Sequence, residues 1–411
     1  MLDLVELLKP SESKEPETQG LSSVLFYQTE VCRKLVEEAF TFEGLAVPKL
    51  LENDDEVIKK YARSSALEIV IVELNESNNV TEDMRRISHL LPNSASVIVV
   101  GSEDAISTIR NLKEMGFYYL FWPVSKQELI DFVKNVSDNR QRNAGLGKAR
   151  EAKKVAFWGA SGGVGNSLLV AEIACELSSK KNSSCVVIDH DFVGGNLDIL
   201  LGLKKFEKKD IPPGALTSNL DTSYALNMTQ KITPMLSILS VQSKDLNEFQ
   251  MKEYVRTLSD ELSEQTNFLI EDLSCSVNCK QDLEYSAKEC DAIVLVLKPT
   301  VSCLRDASRI VSQLKELETK ARIIVVINHT SPEKHATVTE EEIEKYLRRP
   351  IDVTCPYDGQ MSKALLEGKH LHELKLPISK SIKQITAALL GEKHEIGKVG
   401  VLSKLFKRSR K

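Results

Sequence analysis

The residues whose spacing carries the most chemistry run Val155-Ala156-Phe157-Trp158-Gly159-Ala160-Ser161-Gly162-Gly163-Val164-Gly165-Asn166-Ser167. An apolar run ends in a glycine-rich turn, and an apolar-periodic segment (Leu168, Leu169, Val170, Ile173, Ala174, Leu177) follows at once. That order predicts a buried strand, a tight loop and a helix N-terminus, the arrangement that cradles phosphates. Glycines let the backbone approach an anion and turn its N–H groups inward, and the helix dipole adds positive potential. Gly162, Gly163, Val164, Gly165, Asn166 and Ser167 are therefore the candidate nucleotide-binding residues, with the Ser167 hydroxyl placed to hold Mg²⁺.

One substitution bears on what this loop can do. Asn166 stands where loops of this kind carry the lysine that contacts the β- and γ-phosphates. A cation on phosphate makes charge-assisted hydrogen bonds of about 1.5–3 kcal/mol each, against about 1 kcal/mol for a neutral bond. Backbone amides and Ser167 remain, so nucleotide binding survives this loss more easily than transition-state stabilisation does. Lys153 and Lys154 begin the strand, roughly five residues at ~3.3 Å each from the loop, and do not compensate. The expectation is ATP or ADP binding with Mg²⁺ and weak or absent hydrolysis. The bland alternative is a glycine turn that packs helix on strand with no ligand.

Carboxylates follow at the ends of later strands. Cys185-Val186-Val187-Ile188-Asp189-His190-Asp191 delivers two aspartates to the carboxyl end of a buried strand, where ligands of open α/β sheets sit. Phe268-Leu269-Ile270-Glu271-Asp272 ends in an acidic pair suited to the water shell of Mg²⁺. Such residues also serve as helix caps or turn formers, but Asp189, Asp191 and Asp272 beside a phosphate loop form a specific set.

The positioning elements alternate strand and helix in two blocks. With 411 residues and a net charge of −5, the chain has room for two domains and lacks a global basic coat for nucleic acid. No apolar run approaches 18 residues, and Met1-Leu2-Asp3-Leu4-Val5-Glu6 lacks signal-peptide features, which predicts a cytoplasmic chain. The eight scattered cysteines, at positions 32, 175, 185, 275, 279, 290, 303 and 355, read as structural thiols rather than a zinc site. Residues 1–22 read as a flexible arm, 23–136 as the first domain, 137–152 as a linker, 153–390 as the second domain and 391–411 as a basic amphipathic tail. In the first domain, strands are expected at Val24 to Tyr27, Ile69 to Val72, Val97 to Val100 and Tyr118 to Phe121, with a weak one at Leu45-Ala46-Val47 and a helix around Leu129 to Val136. In the second, later strands are expected at Leu236 to Leu239, Asn267 to Ile270, Ala292 to Leu297 and Arg322 to Ile327.

The first domain resembles the receiver domain of response regulators, a flavodoxin-like fold. Pro123 matches a position where receivers often carry a cis peptide after a lysine. Tyr27 and Gln28 stand where a receiver has two acidic residues, Glu73 at its phosphorylated aspartate, Trp122 at its lysine, and Gly101 or Ser102 at its hydroxyl. Lacking that metal pocket, it reads as a docking or dimerisation module rather than a phosphotransfer domain.

The second domain resembles the MinD/ParA class of deviant P-loop ATPases over 153–390. The resemblance rests on the loop, with Ser161 at the signature lysine and Asn166 at the second lysine, and on the run from Val187 through Asn196-Leu197-Asp198 to Gly202. It also rests on Lys298-Pro299-Thr300 through Arg309, and on Cys355-Pro356-Tyr357-Asp358. The resemblance implies that Asp191 positions the attacking water if hydrolysis occurs, that Asp189 belongs to the same switch, and that Asp272 sits in the Mg²⁺ shell. It places Asn328 near the adenine and implies a homodimer. Ser161 cannot reach a partner's phosphates as the signature lysine does, and Ser274 replaces a usual proline after Asp272.

A degenerate receiver ahead of a MinD-like domain is the layout of TadZ/CpaE proteins, which position the Tad (Flp) type IV pilus secretion apparatus. The expected fold is therefore α/β, with two parallel-sheet domains, receiver-like and then MinD/ParA-type. The resemblance implies Tad pilus components as partners and a polar position. Residues 399–411 carry Val401, Leu402, Leu405 and Phe406 at helical spacing among cations, which suits peripheral contact with an anionic inner membrane. A solvated tail, or a patch for a partner or nucleic acid, is the plainer reading of that segment. The alternative function is an active MinD/ParA-type ATPase cycling on membrane or nucleoid; phosphorelay output and DNA partition fit the residues less well.

Overall fold

A computed structural model describes residues 22–64, 67–142, 151–212, 220–276 and 279–392. Most of the expected arm and basic tail, including 399–411, lies outside the described residues. The chain divides into two compact units, Met1–Asp83 with Ala95–Gly147, and Met84–Ser94 with Lys148–Lys411.

Through residue 142 the order is β1 (Ser23–Tyr27), α1 (Glu30–Phe42), β2 (Lys49–Glu52), α2 (Asp55–Ser64), β3 (Ile69–Glu73), α3 (Val80–Ser88), β4 (Ser96–Gly101), α4 (Ile106–Glu114), β5 (Tyr118–Phe121) and α5 (Lys126–Arg142). The five strands form one parallel sheet, ordered β2-β1-β3-β4-β5. That is the doubly wound, flavodoxin-like order. β3 is buried along its whole length, as a central parallel strand must be when both faces are covered. Thr29 starts α1 by accepting a hydrogen bond from the Cys32 amide.

Two expectations shift. The weak strand expected at Leu45-Ala46-Val47 is not one; β2 begins at Lys49 instead. Pro48 explains the displacement, because proline has no N–H for a sheet ladder and its ring restricts the residue before it. The helix expected around Leu129 to Val136 continues through Arg142, into residues read as linker. The Trp122–Pro123 peptide is cis.

The second unit continues with β6 (Lys153–Gly159), α6 (Asn166–Ser179), β7 (Cys185–Asp189), α7 (Leu197–Leu200), β8 (Lys209–Asp210), α8 (Thr222–Met228), β9 (Gln230–Thr233), β10 (Leu236–Leu239) and β11 (Val241–Gln242). It closes with α9 (Glu248–Ser263), β12 (Phe268–Asp272), α10 (Lys280–Glu289), β13 (Ala292–Leu297), α11 (Val301–Glu316), β14 (Arg322–Asn328), α12 (Glu340–Leu347), β15 (Val353–Cys355), α13 (Gln360–Leu366) and α14 (Pro377–Leu390). Eight strands make one sheet, ordered β15-β14-β13-β6-β12-β7-β10-β9. Among the described residues, only the edge pair β9–β10 runs antiparallel within it.

The core of this sheet is aliphatic: Val294 to Leu297 and Ile324 to Ile327 are fully buried beside Phe157 and Trp158. Each such side chain contributes about 1.5–3 kcal/mol on burial. The order matters for function, because β6, β12 and β7 are neighbours and end on the same side. The residues just past their carboxyl ends therefore meet.

Candidate nucleotide site

β6 feeds the glycine loop, and α6 starts directly after it. Gly165 caps the helix with φ of +84° and offers no side chain to the first-turn amides. A Cβ at Gly165 would lie 2.4 Å from the Asn328 side-chain nitrogen, so both backbone angle and space require glycine there. Gly162 and Gly163 face open space on their Cβ side. The amides of Gly162 to Gly165 have no backbone acceptor among the described residues. A bare helix N-terminus behind open glycines is a cradle that fits phosphate.

Asn166 is turned away from that cradle and buried. Its Nδ2 donates to the Asp272 carboxylate at 2.9 Å and to the Phe157 carbonyl at 2.9 Å. Its Oδ1 is buried with no hydrogen-bond partner. Ser161, at the other expected lysine position, points its hydroxyl at the Cys303 sulfur, 3.3 Å away. Neither side chain stands in for a phosphate-binding cation. Lys153 and Lys154 are committed to Asp291 and Asp260.

The carboxylates assemble from two strands. Asp272 and Asp189 are direct cross-strand partners in the β12–β7 register. The Asp272 Oδ1 that accepts from Asn166 also accepts the Ser274 amide at 3.0 Å. Ser274 Oγ in turn lies 3.3 Å from Ser167 Oγ, so Ser167, Ser274 and Asp272 form a chain from loop to strand. Such a serine and carboxylate suit a magnesium ion and its water shell.

Asp189 is buried and accepts from the Asp191 amide at 3.0 Å and the Ser240 hydroxyl at 2.9 Å. Burial raises its carboxyl above the ordinary range, opposed by the Lys208 ammonium 3.6 Å away. Gly195 packs against it so closely that a Cβ there would sit 2.7 Å from Asp189 Oδ2. The Asp191 carboxylate is spent locally on the amides of Val193 (3.2 Å) and Gly194 (2.8 Å). Burial pushes its carboxyl up, but these amides, the Cys275 thiol and Lys208 together hold it below the ordinary value.

The acidic pair at the end of β12 does not act as a pair. Strand side chains alternate between faces, and Glu271 pairs instead with the His190 ring (3.1 Å) and the Tyr285 hydroxyl (2.8 Å). Asn328, placed near the adenine by resemblance, donates its side-chain amide to the Val164 carbonyl at 2.8 Å and so braces the loop from β14.

Sequence spacing missed three contributors. Lys208 donates to the Asp191 carbonyl, Ser240 holds Asp189, and Cys303 accepts from Ser161. None has a local signal, because each arrives from a distant element. In the first unit, Glu73 is fully buried and its carboxylate is saturated. It accepts from the Gln28 amide (2.6 Å), the Thr29 amide (2.9 Å), the Thr29 hydroxyl (2.6 Å) and the Asn75 side chain (2.8 Å). Glu73, which the receiver resemblance sets at a phosphoacceptor position, is thus a structural anchor. Among the described residues, no helix is long and apolar enough to cross a membrane.

The described geometry agrees with what this chain is similar to. Residues 155–371 match the model of the CobQ/CobB/MinD/ParA nucleotide binding domain. The septum site-determining protein MinD of Helicobacter pylori is 30% identical over 244 residues, covering 57% of this chain and 89% of that protein. An uncharacterized ATP-binding protein of Methanocaldococcus jannaschii is 25% identical over 245 residues, covering 59% of this chain and 89% of that protein. The solved MinD cell division protein of Aquifex aeolicus is 22% identical and spans 59% of this chain and 98% of that one, with a TM-score of 0.48. The family model spans more than half of the 411 residues, and the chain belongs to the CobQ/CobB/MinD/ParA nucleotide-binding family.

Proposed function

We propose that this chain is a nucleotide-binding positioning and assembly factor for a Tad (Flp) type IV pilus secretion system, with weak or no ATP hydrolysis. Residues 153–390 bind ATP or ADP with Mg²⁺ and pair as a homodimer. Residues 23–136 dock partners, and 399–411 touch the inner membrane at a cell pole. The amides of Gly162 to Asn166 hold the phosphates, and Ser167 and Asp272 hold the metal, the latter through water. Asp189 and Asp191 form the switch, with Asp191 positioning water in any hydrolysis. The M. jannaschii relative described as ATP-binding supports the nucleotide, and the MinD relatives support the positioning role.

A single observation carries the weak-hydrolysis reading. Both positions where the MinD/ParA class resembled here has lysine are neutral, Ser161 and Asn166, and both side chains are bonded inside the protein. Preorganised cations on the transferring phosphoryl are a large part of catalysis, whereas ground-state binding also draws on amides and metal. The complete carboxylate set of Asp189, Asp191 and Asp272 favours the second reading, an active MinD/ParA-type ATPase cycling on membrane or nucleoid.

Phosphate release from Mg-ATP separates the two. Release by the full chain at the level of its Ser167→Ala variant supports the positioning factor. Sustained release well above that control supports the working ATPase and removes the first reading.

A further inference from the structure

The loop lacks a cation of its own, and a lysine from another strand reaches it. Lys298 follows directly after β13, which runs parallel to β6 with Val296 opposite Gly159. The Ala160 amide donates to the Val296 carbonyl at 2.8 Å, so the end of β13 and the start of the loop lie side by side. From there the Lys298 ammonium donates to the Gly162 carbonyl at 3.3 Å. Its own backbone amide is fixed on the Cys303 sulfur at 3.3 Å, the same sulfur that Ser161 contacts. Lys298 has no carboxylate partner among the described residues. Lys208, in contrast, lies between Asp189 and the Asp191 carbonyl.

We propose that Lys298 supplies in place of Ser161 and Asn166 the positive charge that contacts the phosphates of a bound nucleoside di- or triphosphate. The inference rests on the nucleotide-binding reading above. An ammonium carries three donors, and the Gly162 carbonyl takes one, leaving the others to meet an anion over the open glycines. A lysine is a compact charge on a flexible four-carbon stem, so it follows phosphate without a change of backbone. The arrangement reconciles neutral side chains at Ser161 and Asn166 with a site that gathers three carboxylates. A triphosphate with Mg²⁺ still meets a cation, supplied from the side rather than from the helix.

The test is equilibrium binding of ATP and ADP, each with Mg²⁺, to the full chain and to Lys298→Met, Lys298→Gln and Lys298→Arg. Cooperative melting of each variant without ligand is measured alongside. The expected result is about tenfold or greater loss of affinity in the Met and Gln variants. The Arg variant stays within about threefold of wild type, the ligand-free melts are unchanged, and affinity falls less steeply with salt when the charge is gone. Wild-type binding that persists within about twofold in Lys298→Met overturns the inference and leaves the nucleotide reading intact. Loss of cooperative melting in both neutral variants also overturns it, since the lysine would then be a clamp on Gly162. Absence of saturable binding by the wild type overturns both.

Discussion

The Asn166 side-chain amide donates to the Asp272 carboxylate at 2.9 Å, joining the first residue of α6 to the last residue of β12. The same carboxylate oxygen accepts the Ser274 amide. The residue at the loop's second expected lysine position thus holds Asp272 in place.

That bond makes Asn166 a structural residue with a functional consequence. Asn166→Ala removes a buried hydrogen bond to a charged group and one of the two that the Phe157 carbonyl accepts, the Leu273 amide at 3.1 Å remaining. Stability should fall by about 1–3 kcal/mol. Asn166→Lys puts a longer, charged side chain at the first residue of α6, able to reach past Asp272 to the cradle, and ATP affinity should rise by about tenfold or more. Urea unfolding and nucleotide titration read the two effects; an Asn166→Lys variant with wild-type affinity would show that the new ammonium stays paired with Asp272.

A second prediction concerns pH. Glu172 of α6 is buried and accepts the amides of Leu371 and His372 at 2.9 Å each, and the His372 ring lies 2.8 Å away. Burial pushes the Glu172 carboxyl up, but His370, His372 and these amides outweigh it and hold it at about 2. His370, bonded to Cys175 and facing Glu172 at 3.7 Å, is raised to about 10. The carboxylate therefore stabilises the fold above its unfolded pKa, and that contribution is lost as pH falls from about 4.5 toward 2. The imidazolium stabilises it below an unfolded pKa of about 6.5, and that contribution is lost as pH rises toward 10. Urea midpoints against pH should plateau between these limits. Glu172→Gln should remove the acid limb, reduce the alkaline one, which Cys175 also sustains, and cost about 3 kcal/mol or more; equal slopes in both proteins would contradict the assignment.

In the first domain, Glu73 should behave as an anchor rather than a phosphoacceptor. Glu73→Ala leaves the amides of Gln28 and Thr29 without their acceptor and should cost about 2–4 kcal/mol. Incubation with acetyl phosphate should leave the intact mass unchanged. A stoichiometric phosphoryl adduct on Glu73 would overturn this.

Much of the site was legible because its signals are local. The apolar run, the glycines and the helix onset predict the loop without tertiary information, and strand-end aspartates predict which carboxylates gather. Asp189 and Asp272 meet because β7 and β12 are sheet neighbours, a consequence of the strand order typical of this fold. Alternation along β12 also explains why Glu271 parts from Asp272. What stayed hidden depends on side-chain direction or on distant elements. Nothing near Lys208 marks it as a neighbour of the site, the run from Lys298 to Arg309 carries a resemblance without showing that the lysine meets the loop, and Asn328 braces Val164 across 164 residues. The Asp191 carboxylate is drawn into its own turn by Val193 and Gly194, a local competition that a motif does not reveal. Pro48 was visible, and its exclusion from a strand interior places β2 after it.

Titration calorimetry of the full chain with ATP in the presence of Mg²⁺ tests most directly whether amides, Ser167 and carboxylates hold a nucleotide without a loop lysine. Saturable heat at about one nucleotide per chain, lost in Ser167→Ala or when Mg²⁺ is chelated, is the predicted result. Absence of heat and of saturable uptake with both ATP and ADP would contradict it.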